Sequence, residues 1–414
     1  MGRIGMSSRP KNIKANNRKI ILSLFRYSEN LTVSGIADRV KLSKTTTTKI
    51  ISELLKQGYV VSAGKGSSTD EGGKKPELFR FNATNKYIIV ISMDTTGIAA
   101  YLFVLDLKCN VCYSDLLQFN KREIPYKKVV SAYISAIRRA LKNCKLEQGQ
   151  IYAIELAIDG IVDVKRGILK YSFHNRWKGD LPFCADIAAG LGFRTNIYLD
   201  NICSYLGYAE LKNSNYDERG VAFLYADVHT GGCIIRNGRL IHSAHGYAGE
   251  FGHMILTPES TVKCSCGGNG CFEALVSTGE LILNAIRHRG SHPKSLIFQD
   301  TPGNMITENS IFNAANQGDE LACLLMDEII KWFSIAIHNI SIVYDPDIVI
   351  LQGSYRDAGE YFISGLRRAL LAIPFYNGSH HLVIKYSEIS PSDAMGIGGS
   401  YYATNRYLEM EEQP

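Results

Sequence analysis

Three cysteines and one histidine near the middle of the sequence have the residue types of a metal site. Cys264, Cys266 and Cys271 follow one another closely, glycines separate the last two, and His253 precedes them. Zinc prefers four tetrahedral thiolate or imidazole ligands, and a Cys₃His set supplies all four, which leaves no position for a reactive water. The spacing therefore predicts a structural Zn²⁺ in a loop at 253–273. A cluster of buried thiols beside a histidine is the alternative.

Length and composition limit the class of protein. The 414 residues are 45% hydrophobic, which is enough for two or three domains with large cores. No apolar run reaches the length of a membrane span, and the basic N-terminus lacks the apolar core of a secretion signal. Seven of the ten cysteines lie outside the metal-like cluster, and in such a chain we expect them to be buried thiols. We therefore expect a cytoplasmic protein with no membrane association.

The net charge of +6 is distributed unevenly along the chain. Residues 1–85 contain 16 Lys and Arg against 6 Asp and Glu, while the remainder contains 30 basic and 34 acidic residues. A basic head on a mildly acidic body indicates that the head binds nucleic acid. On charge alone, a solvated basic arm is the alternative.

The periodicity of the head predicts three helices. Apolar residues at helical spacing, Ile20 among them, mark residues 16–27, and a short second helix fits 33–40 with Thr32 or Ser34 as its cap. Ser43 would cap a third helix that ends at Gly58. This order is typical of a helix-turn-helix, whose third helix enters the major groove. The residues expected to face DNA are Ser43, Lys44, Thr45, Thr46, Thr47 and Lys49. For any single threonine, an ordinary solvated helix face is the alternative.

Two strands and a basic, flexible tip follow the third helix. The strands are expected from Tyr59 and at 78–81, with the glycine- and serine-rich segment 64–76 between them. Such a wing would place Lys65, Lys74 and Lys75 against the DNA backbone, where lysines set affinity but read little sequence. Residues 1–85 are therefore predicted to form a winged helix-turn-helix DNA-binding domain.

Residues 86–414 have the pattern of an α/β body. Strands are expected at 87–93, 100–105, 151–158, 196–199, 221–226 and 348–351, and long helices at 129–141 and 321–343. A body of this size is expected to divide into two lobes with a cleft between them.

Two motifs in the body resemble the signature of the ROK family, which groups repressors, open reading frames and sugar kinases. They are Gly249-Glu250-Phe251-Gly252-His253 and Cys264-x-Cys266-Gly267-x-x-Gly270-Cys271-x-Glu273. Segments 72–79 and 159–163 are similar to the family's wing-to-body junction and to a loop of its sugar pocket. The resemblance implies a two-lobed, actin-like (ribonuclease-H-like) fold. It also implies a regulator, because only the family's regulators, such as its xylose and N-acetylglucosamine repressors, carry a winged helix.

The chain departs from the family's kinases at three places that phosphoryl transfer uses. The first phosphate loop of the kinases is Asp-x-Gly-Gly-Thr, whereas this chain has Asp94-Thr95-Thr96-Gly97-Ile98. Their second loop is Gly-Thr-Gly-x-Gly-Gly-Gly, and it aligns with residues 227–233, where this chain has Asp-Val-His-Thr-Gly-Gly-Cys. The catalytic Asn-Asp pair aligns with Asn201 and Ile202, and isoleucine cannot accept a proton. A one-residue shift would put Asp200 there instead. We predict no catalytic residue and no enzymatic activity, with Asp94 and Asp200 in structural networks.

The resemblance also implies which residues contact the hydroxyls of a sugar. They are Asn201, Glu250, His253 and Glu273, together with His174 and Asn175 where the family has an asparagine. Carboxylates accept hydrogen bonds from two hydroxyls at once, which suits a polyol. For Glu250 and Glu273 a salt bridge or a helix cap is the alternative.

These features together predict a sugar-responsive repressor of carbohydrate-metabolism genes. It would bind operator DNA as a homo-oligomer. One recognition helix reads only a half-site, which predicts a dimer, and the family resemblance implies a dimer or tetramer. An ATP-dependent sugar kinase with a DNA-binding head and a regulator controlled by a protein partner are the alternatives. The sequence leaves open the operator, the direction of the response and the sugar, whether xylose, glucose, N-acetylglucosamine or a phosphate of one of these.

Overall fold

The computed structural model describes residues 10–66, 75–94, 97–119, 124–172, 175–213, 219–243, 245–299, 305–374 and 382–409. These residues form a small N-terminal head and two lobes, and each of the two lobes is built on a five-stranded sheet. Within these ranges no helix has the length and apolar character needed to cross a membrane.

The head is a winged helix-turn-helix, as predicted. Its elements are α1 (Pro10–Tyr27), α2 (Val33–Val40), α3 (Lys44–Lys56), β1 (Val60–Lys65) and β2 (Glu77–Phe81). The side chain of Thr32 accepts a hydrogen bond from the N–H of Gly35 at the start of α2, and that of Ser43 accepts one from Thr46 at the start of α3. Strands β1 and β2 pair antiparallel. Helix α1 begins six residues before the predicted start at 16.

The prediction that Thr47 faces DNA is wrong. Its side chain has no exposed surface, and its hydroxyl donates to the carbonyl of Ser43 at 3.0 Å. Positions 47, 50, 51 and 54 share one side of α3, and that side packs into the core of the head. The predicted apolar face of α1 also needs a correction. Ile20 was placed on that face but is 42% exposed, and Leu22 is buried instead.

The first lobe carries one five-stranded sheet and a small three-stranded sheet. Its elements are β3 (Tyr87–Met93), β4 (Ala99–Asp106), β5 (Val111–Gln118), α4 (Tyr126–Cys144), β6 (Ile151–Ile158), β7 (Ile161–Asp163), β8 (Ile168–Tyr171), β9 (Lys178–Leu181), α5 (Phe183–Leu191) and β10 (Asn196–Asn201). The large sheet has the order β10-β6-β3-β4-β5, and β10, β6 and β3 run parallel. Buried residues of α4 and α5 share a core with this sheet.

The second lobe is built on the sheet β13-β12-β11-β14-β15. Its elements are α6 (Ile202–Asn213), β11 (Val221–Ala226), β12 (Thr230–Arg236), β13 (Arg239–Leu240), α7 (Phe272–Val276), α8 (Thr278–His288), α9 (Glu308–Asn316), α10 (Glu320–Tyr344), β14 (Ile348–Gln352), α11 (Gly359–Leu371), β15 (Val383–Tyr386) and α12 (Pro391–Glu409). The six strands and two long helices predicted for the body are all present, with ends shifted by a few residues.

A buried ion pair connects helix α12 to the first lobe. The guanidinium of Arg406 pairs with the carboxylate of Glu155 in β6, which also accepts a hydrogen bond from the hydroxyl of Tyr205 at 2.9 Å. The guanidinium lies 3.6 Å from the ring centre of Tyr198 and 4.0 Å from that of Tyr402. Burial alone would lower the pKa of Arg406, but Glu155 raises it above its ordinary value. The arginine therefore stays charged, and its charge is compensated.

The same helix contacts the head. The side-chain amide of Asn85, where the head ends, donates to the hydroxyl of Tyr407 at 2.7 Å, and the Tyr407 ring lies 4.9 Å from that of Tyr59. Arg26 of α1 hydrogen-bonds Asn405 and lies over the ring of Tyr401 at 4.2 Å. Helix α12 therefore joins α1, the wing and the first lobe.

Replacing Arg406 with leucine leaves the buried Glu155 carboxylate without its counter-charge. Breaking a buried ion pair from one side costs about 3–5 kcal/mol, and we expect the free energy of unfolding to fall by that amount in a urea titration. Arg166→Leu is the matched control, because Arg166 is an exposed arginine near Asp163 and Asp180 and should change stability by less than about 1 kcal/mol. Equal losses in the two variants would contradict the assigned role of the buried pair.

Candidate functional site

The structure brings together the four residues predicted to bind metal. One ligand atom from each of His253, Cys264, Cys266 and Cys271 lies within 4.8 Å of all the others. The sulfur of Cys264 is 3.5 Å from Nδ1 of His253, and the sulfurs of Cys266 and Cys271 are 3.7 Å apart. Two sulfurs at about 2.3 Å from a tetrahedral zinc are about 3.8 Å apart, so the spacing fits this ion.

Glycines let the cysteine loop turn tightly. Gly267 and Gly270 both have positive φ, and a Cβ at position 270 would lie 1.7 Å from the carbonyl oxygen of Thr257. Isolated bridges between Ile255 and Cys271 and between Lys263 and Asn269 hold the two sides of the loop together. Cys271 then stands at the N-cap position of α7, so Glu273 follows in the first turn of that helix.

The carboxylate of Glu273 connects this loop to the second lobe's sheet. Its Oε2 accepts from the N–H of Thr230 at 3.0 Å and lies 3.4 Å from Nδ1 of His229. Its Oε1 accepts from the hydroxyl of Ser265 at 2.7 Å and from the thiol of Cys264 at 3.6 Å. Burial opposes ionisation, but the bond from His229 and the other donors hold the pKa of Glu273 at about 2. The group is therefore a fixed negative charge at neutral pH.

Glu250 lies beside the metal-like cluster. Its Oε2 is 4.0 Å from Nε2 of His253, whose other ring nitrogen faces Cys264. Its Oε1 accepts a 3.3 Å hydrogen bond from the amide of Asn201, which also donates to the carbonyl of Gly160 at 3.1 Å. Burial, with the charges of Asp159 and Glu273, raises the pKa of Glu250 to about 8. Near neutral pH this carboxyl group can therefore both donate and accept hydrogen bonds.

These side chains line one cleft between the two lobes. Its walls are formed by Asp159, Asn201, Ile202, Cys203, Tyr225, His229, Thr230, Gly231, Glu250, His253 and Glu273. The space between them is about 20 Å³, which is room for one water molecule and far less than a sugar needs. A ligand of that size requires the walls to move apart.

The predicted sugar residues do not all reach this cleft. Asn201, Glu250, His253 and Glu273 do. Asn175 does not line it: this buried side chain accepts from the N–H of Ile124 at 3.0 Å and lies 3.3 Å from the sulfur of Met93. His174 lies outside the described residues.

Sequence reasoning missed His229 and Thr230 as residues of the cleft. Both belong to the segment that was compared with the family's second phosphate loop, so they were not considered as residues of a binding cleft. The available signal was their position between β11 and β12, since strand ends at the edge of a sheet commonly carry binding residues.

Carboxylates of the kinase-like segments close their own turns. Oδ1 of Asp94 accepts from the N–H groups of Ile98 and Ala99 at 3.1 and 3.2 Å. Oδ1 of Asp227 accepts from the N–H of Val228 and the hydroxyl of Thr278 at 2.8 and 3.1 Å. The bonds to Asp94 close a local turn, whereas the bond from Thr278 connects Asp227 to the start of α8.

Asp200 is buried at the end of β10. Its Oδ1 accepts from the N–H of Asn201 at 2.7 Å and from the hydroxyl of Ser204 at 3.1 Å. Its Oδ2 is buried and has no hydrogen-bond partner among the described residues. Burial raises the pKa of Asp200 to about 7, although both hydrogen bonds act to lower it.

The head exposes most of its predicted DNA-facing residues. Ser43, Lys44, Thr45, Thr46 and Lys49 are exposed around the start of α3. Ser43 and Thr46 also bond to each other, hydroxyl to hydroxyl, at 2.9 Å. Lys65 and Lys75, on the two sides of the wing, are exposed, whereas Lys74 lies outside the described residues.

Comparisons with known proteins give matches to both parts of the chain. The model of the ROK family matches residues 91–402, and that of the MarR family matches residues 20–63. A xylose repressor of Caldicellulosiruptor bescii is 23% identical, and the match covers 91% of this chain and 92% of the relative. A glucokinase of Halalkalibacterium halodurans is 22% identical over 71% of this chain and 90% of the relative. The crystal structure of a ROK family transcriptional regulator, a homolog of the E. coli MLC protein, has a TM-score of 0.79 at 18% identity, covering 96% of this chain and 98% of that one.

Replacing Asp200 with asparagine should change how stability depends on pH. The folded-state pKa of about 7 lies above the ordinary 3.8, so the stability that this group contributes is present at low pH and is lost as the pH rises through 7. Between pH 5 and pH 8 we expect the wild type to lose about 2–3 kcal/mol more than Asp200→Asn in parallel urea titrations. Parallel pH profiles of the two proteins would contradict a buried, protonated Asp200.

Proposed function

The chain belongs to the ROK family, and we propose that it is a sugar-responsive repressor of carbohydrate-metabolism genes. The observation that carries the proposal is that one helix, α12, joins a winged helix-turn-helix to the lobes that enclose a carboxylate-lined cleft. Relatives named xylose repressor match along the head and the body alike, which supports the same reading.

The head supplies the DNA-binding surface. Exposed lysines at the start of α3 and on the wing suit contacts with phosphates, and the exposed hydroxyl of Thr45 lies beside them. One α3 reads only a short half-site, so the repressor acts as a dimer or tetramer on an operator with two-fold symmetry. Its place of action is the cytoplasm, where the operator is.

The cleft supplies the sugar site. Glu273 is a fixed acceptor, whereas Glu250 can donate as well as accept because its pKa is raised to about 8. Asn201 adds an amide beside Glu250. Such a set matches the alternating donors and acceptors of a polyol's hydroxyl groups.

The route from cleft to head runs through two packed helices. Asn201 is followed at once by α6, and a Cβ at Gly398 of α12 would lie 1.7 Å from the carbonyl oxygen of Tyr205 in α6. Helix α12 then reaches the head through Tyr407 and Arg26. A sugar changes DNA affinity only if it binds two arrangements unequally, and the closed cleft, with about 20 Å³, is the arrangement that excludes it.

We expect the protein to bind DNA flanking its own gene in fluorescence anisotropy, and one of D-xylose, D-glucose and N-acetyl-D-glucosamine to change that affinity. Lys49→Ala should weaken DNA binding by about tenfold, because an exposed cation of the recognition helix is lost. The same sugar should raise the melting temperature of Lys49→Ala as it does that of the wild type, because the cleft is unchanged.

Lys331→Ala, on the exposed face of α10, is the control for the loss of one surface charge and should bind DNA like the wild type. Unchanged DNA binding by Lys49→Ala in low salt would contradict the assigned recognition helix. Sugar-dependent consumption of ATP that Asp200→Asn abolishes would show the alternative, a kinase with a DNA-binding head, for which the matching glucokinase is the precedent.

The Cys₃His set is proposed to hold structural Zn²⁺. Its donor types and spacing fit the ion, and when bound the ion would fix His253 with Nε2 toward Glu250. The metal would thereby shape one wall of the cleft.

Cys266→Ser should lower the zinc content measured by elemental analysis and abolish the sugar-induced rise in melting temperature, because one ligand of the site is lost. DNA binding by the head should survive. Cys112→Ser, an exposed cysteine on β5, is the control and should keep both zinc and sugar response. A sugar response that persists after removal of the metal would disprove the link between the zinc and the cleft.

A further inference from the structure

Thr230 carries a buried hydroxyl in the wall of the cleft. The residue is 4% exposed, and within the described part of the chain its Oγ1 makes no hydrogen bond. Buried hydroxyls in native proteins are usually paired, because an unpaired one has lost its bonds to water without replacement. Thr230 lines the cleft together with the carboxyl groups and the amide of the proposed sugar site.

The backbone holds Thr230 firmly in this position. Its N–H donates to Glu273 at 3.0 Å, and the residue pairs with Ala226 at the start of β12. On the other side, a Cβ at Gly252 would lie 2.1 Å from the carbonyl oxygen of Thr230 and 3.1 Å from its Cβ, so the chain approaches as closely as glycine allows. The backbone that carries the hydroxyl is therefore closely held.

The charges around this hydroxyl disfavour an anion. Asp159, Glu250 and Glu273 all line the cleft. His229 faces Glu273 at 3.4 Å, and this carboxylate raises the pKa of His229 although burial alone would lower it. This imidazole is therefore already engaged by a protein carboxylate. A phosphate group entering the cleft would meet the carboxylates of Asp159 and Glu273, and the described residues that line the cleft include no Lys or Arg to pair with it.

We propose that the effector is an uncharged monosaccharide and that the hydroxyl of Thr230 forms a hydrogen bond with one of its hydroxyl groups. The inference rests on the proposed function and names the ligand class of that site. His229 and Thr230 stand where the family's kinases have a glycine and a variable residue, so the contact is a property of this chain. His229 is a positioning residue, because it acts by holding Glu273.

Thr230→Val separates this role from a structural one, because valine has nearly the shape of threonine and lacks the hydroxyl. Without sugar, the variant should melt at the same temperature as the wild type or higher, since an unpaired buried hydroxyl is removed. With sugar, its affinity should be about tenfold weaker, since one hydrogen bond to the ligand is lost. The two effects have opposite directions, whereas damage to packing would lower both stability and affinity.

The experiment is calorimetric titration of the full-length, zinc-containing protein. The probes are D-xylose, D-glucose and N-acetyl-D-glucosamine, with D-glucose 6-phosphate and N-acetyl-D-glucosamine 6-phosphate as the charged counterparts. We expect one neutral sugar to bind, the phosphates to bind at least about tenfold more weakly, Thr230→Val to weaken the neutral sugar and Thr230→Ser to restore it.

Wild-type affinity in Thr230→Val would overturn the contact, as would a failure of Thr230→Ser to restore binding. Tighter binding of a sugar phosphate than of any neutral sugar would overturn the ligand class. Absence of binding by every probe to the wild type would instead refute the proposed function itself, and the inference with it.

Discussion

The ionised carboxylate of Glu273 is the group on which the site depends. It is buried, and it receives hydrogen bonds from the cysteine loop through Ser265 and from the start of β12 through Thr230. Burial opposes its ionisation, but the interaction with His229 and the other hydrogen bonds lower its pKa to about 2. The metal-like cluster and the sheet of the second lobe are thus positioned relative to one another by one side chain. Glu250 and His253 then complete the same wall of the cleft.

The position of the cleft follows from the topology. Strands β6 and β10 of the first lobe are parallel, as are β11 and β14 of the second, and the carboxyl ends of parallel strands meet at one edge of a sheet. Asp159 follows β6 and Asn201 ends β10. The turn with His229 follows β11, and since β12 is antiparallel to it, Thr230 returns to the same edge. Residues far apart in the chain therefore converge without any shared motif.

The sequence was most informative where the determinants are local. Apolar spacing and the caps at Thr32 and Ser43 predicted the helices of the head, and cysteine spacing predicted the loop that gathers four metal-ligand types. Thr47 was misassigned because it is one of four consecutive threonines. Only the register with Ile50, Ile51 and Leu54 shows that it points inward.

Features that depend on long-range packing were not predictable in this way. Helix α12 contains Gly396, Gly398 and Gly399, which weaken helix propensity. Gly398 lies against the backbone of α6, whereas Gly396 and Gly399 lie against side chains of the first lobe's sheet, so close packing on both sides requires these small residues. The residues next to Asn175 in the sequence do not indicate that its side-chain oxygen accepts a hydrogen bond from the N–H of Ile124. The orphan hydroxyl of Thr230 is likewise visible only once both lobes are folded.

Helix α12 also imposes an order of events on biosynthesis. The head is complete at Phe81, whereas α12 begins at Pro391, more than 300 residues later. At about 5–20 residues per second a ribosome needs roughly 15–60 seconds to cover that distance. During this interval a nascent chain contains its head but not the helix that joins the head to the lobes. Whatever the head binds then, the cleft has no means of influencing it through α12.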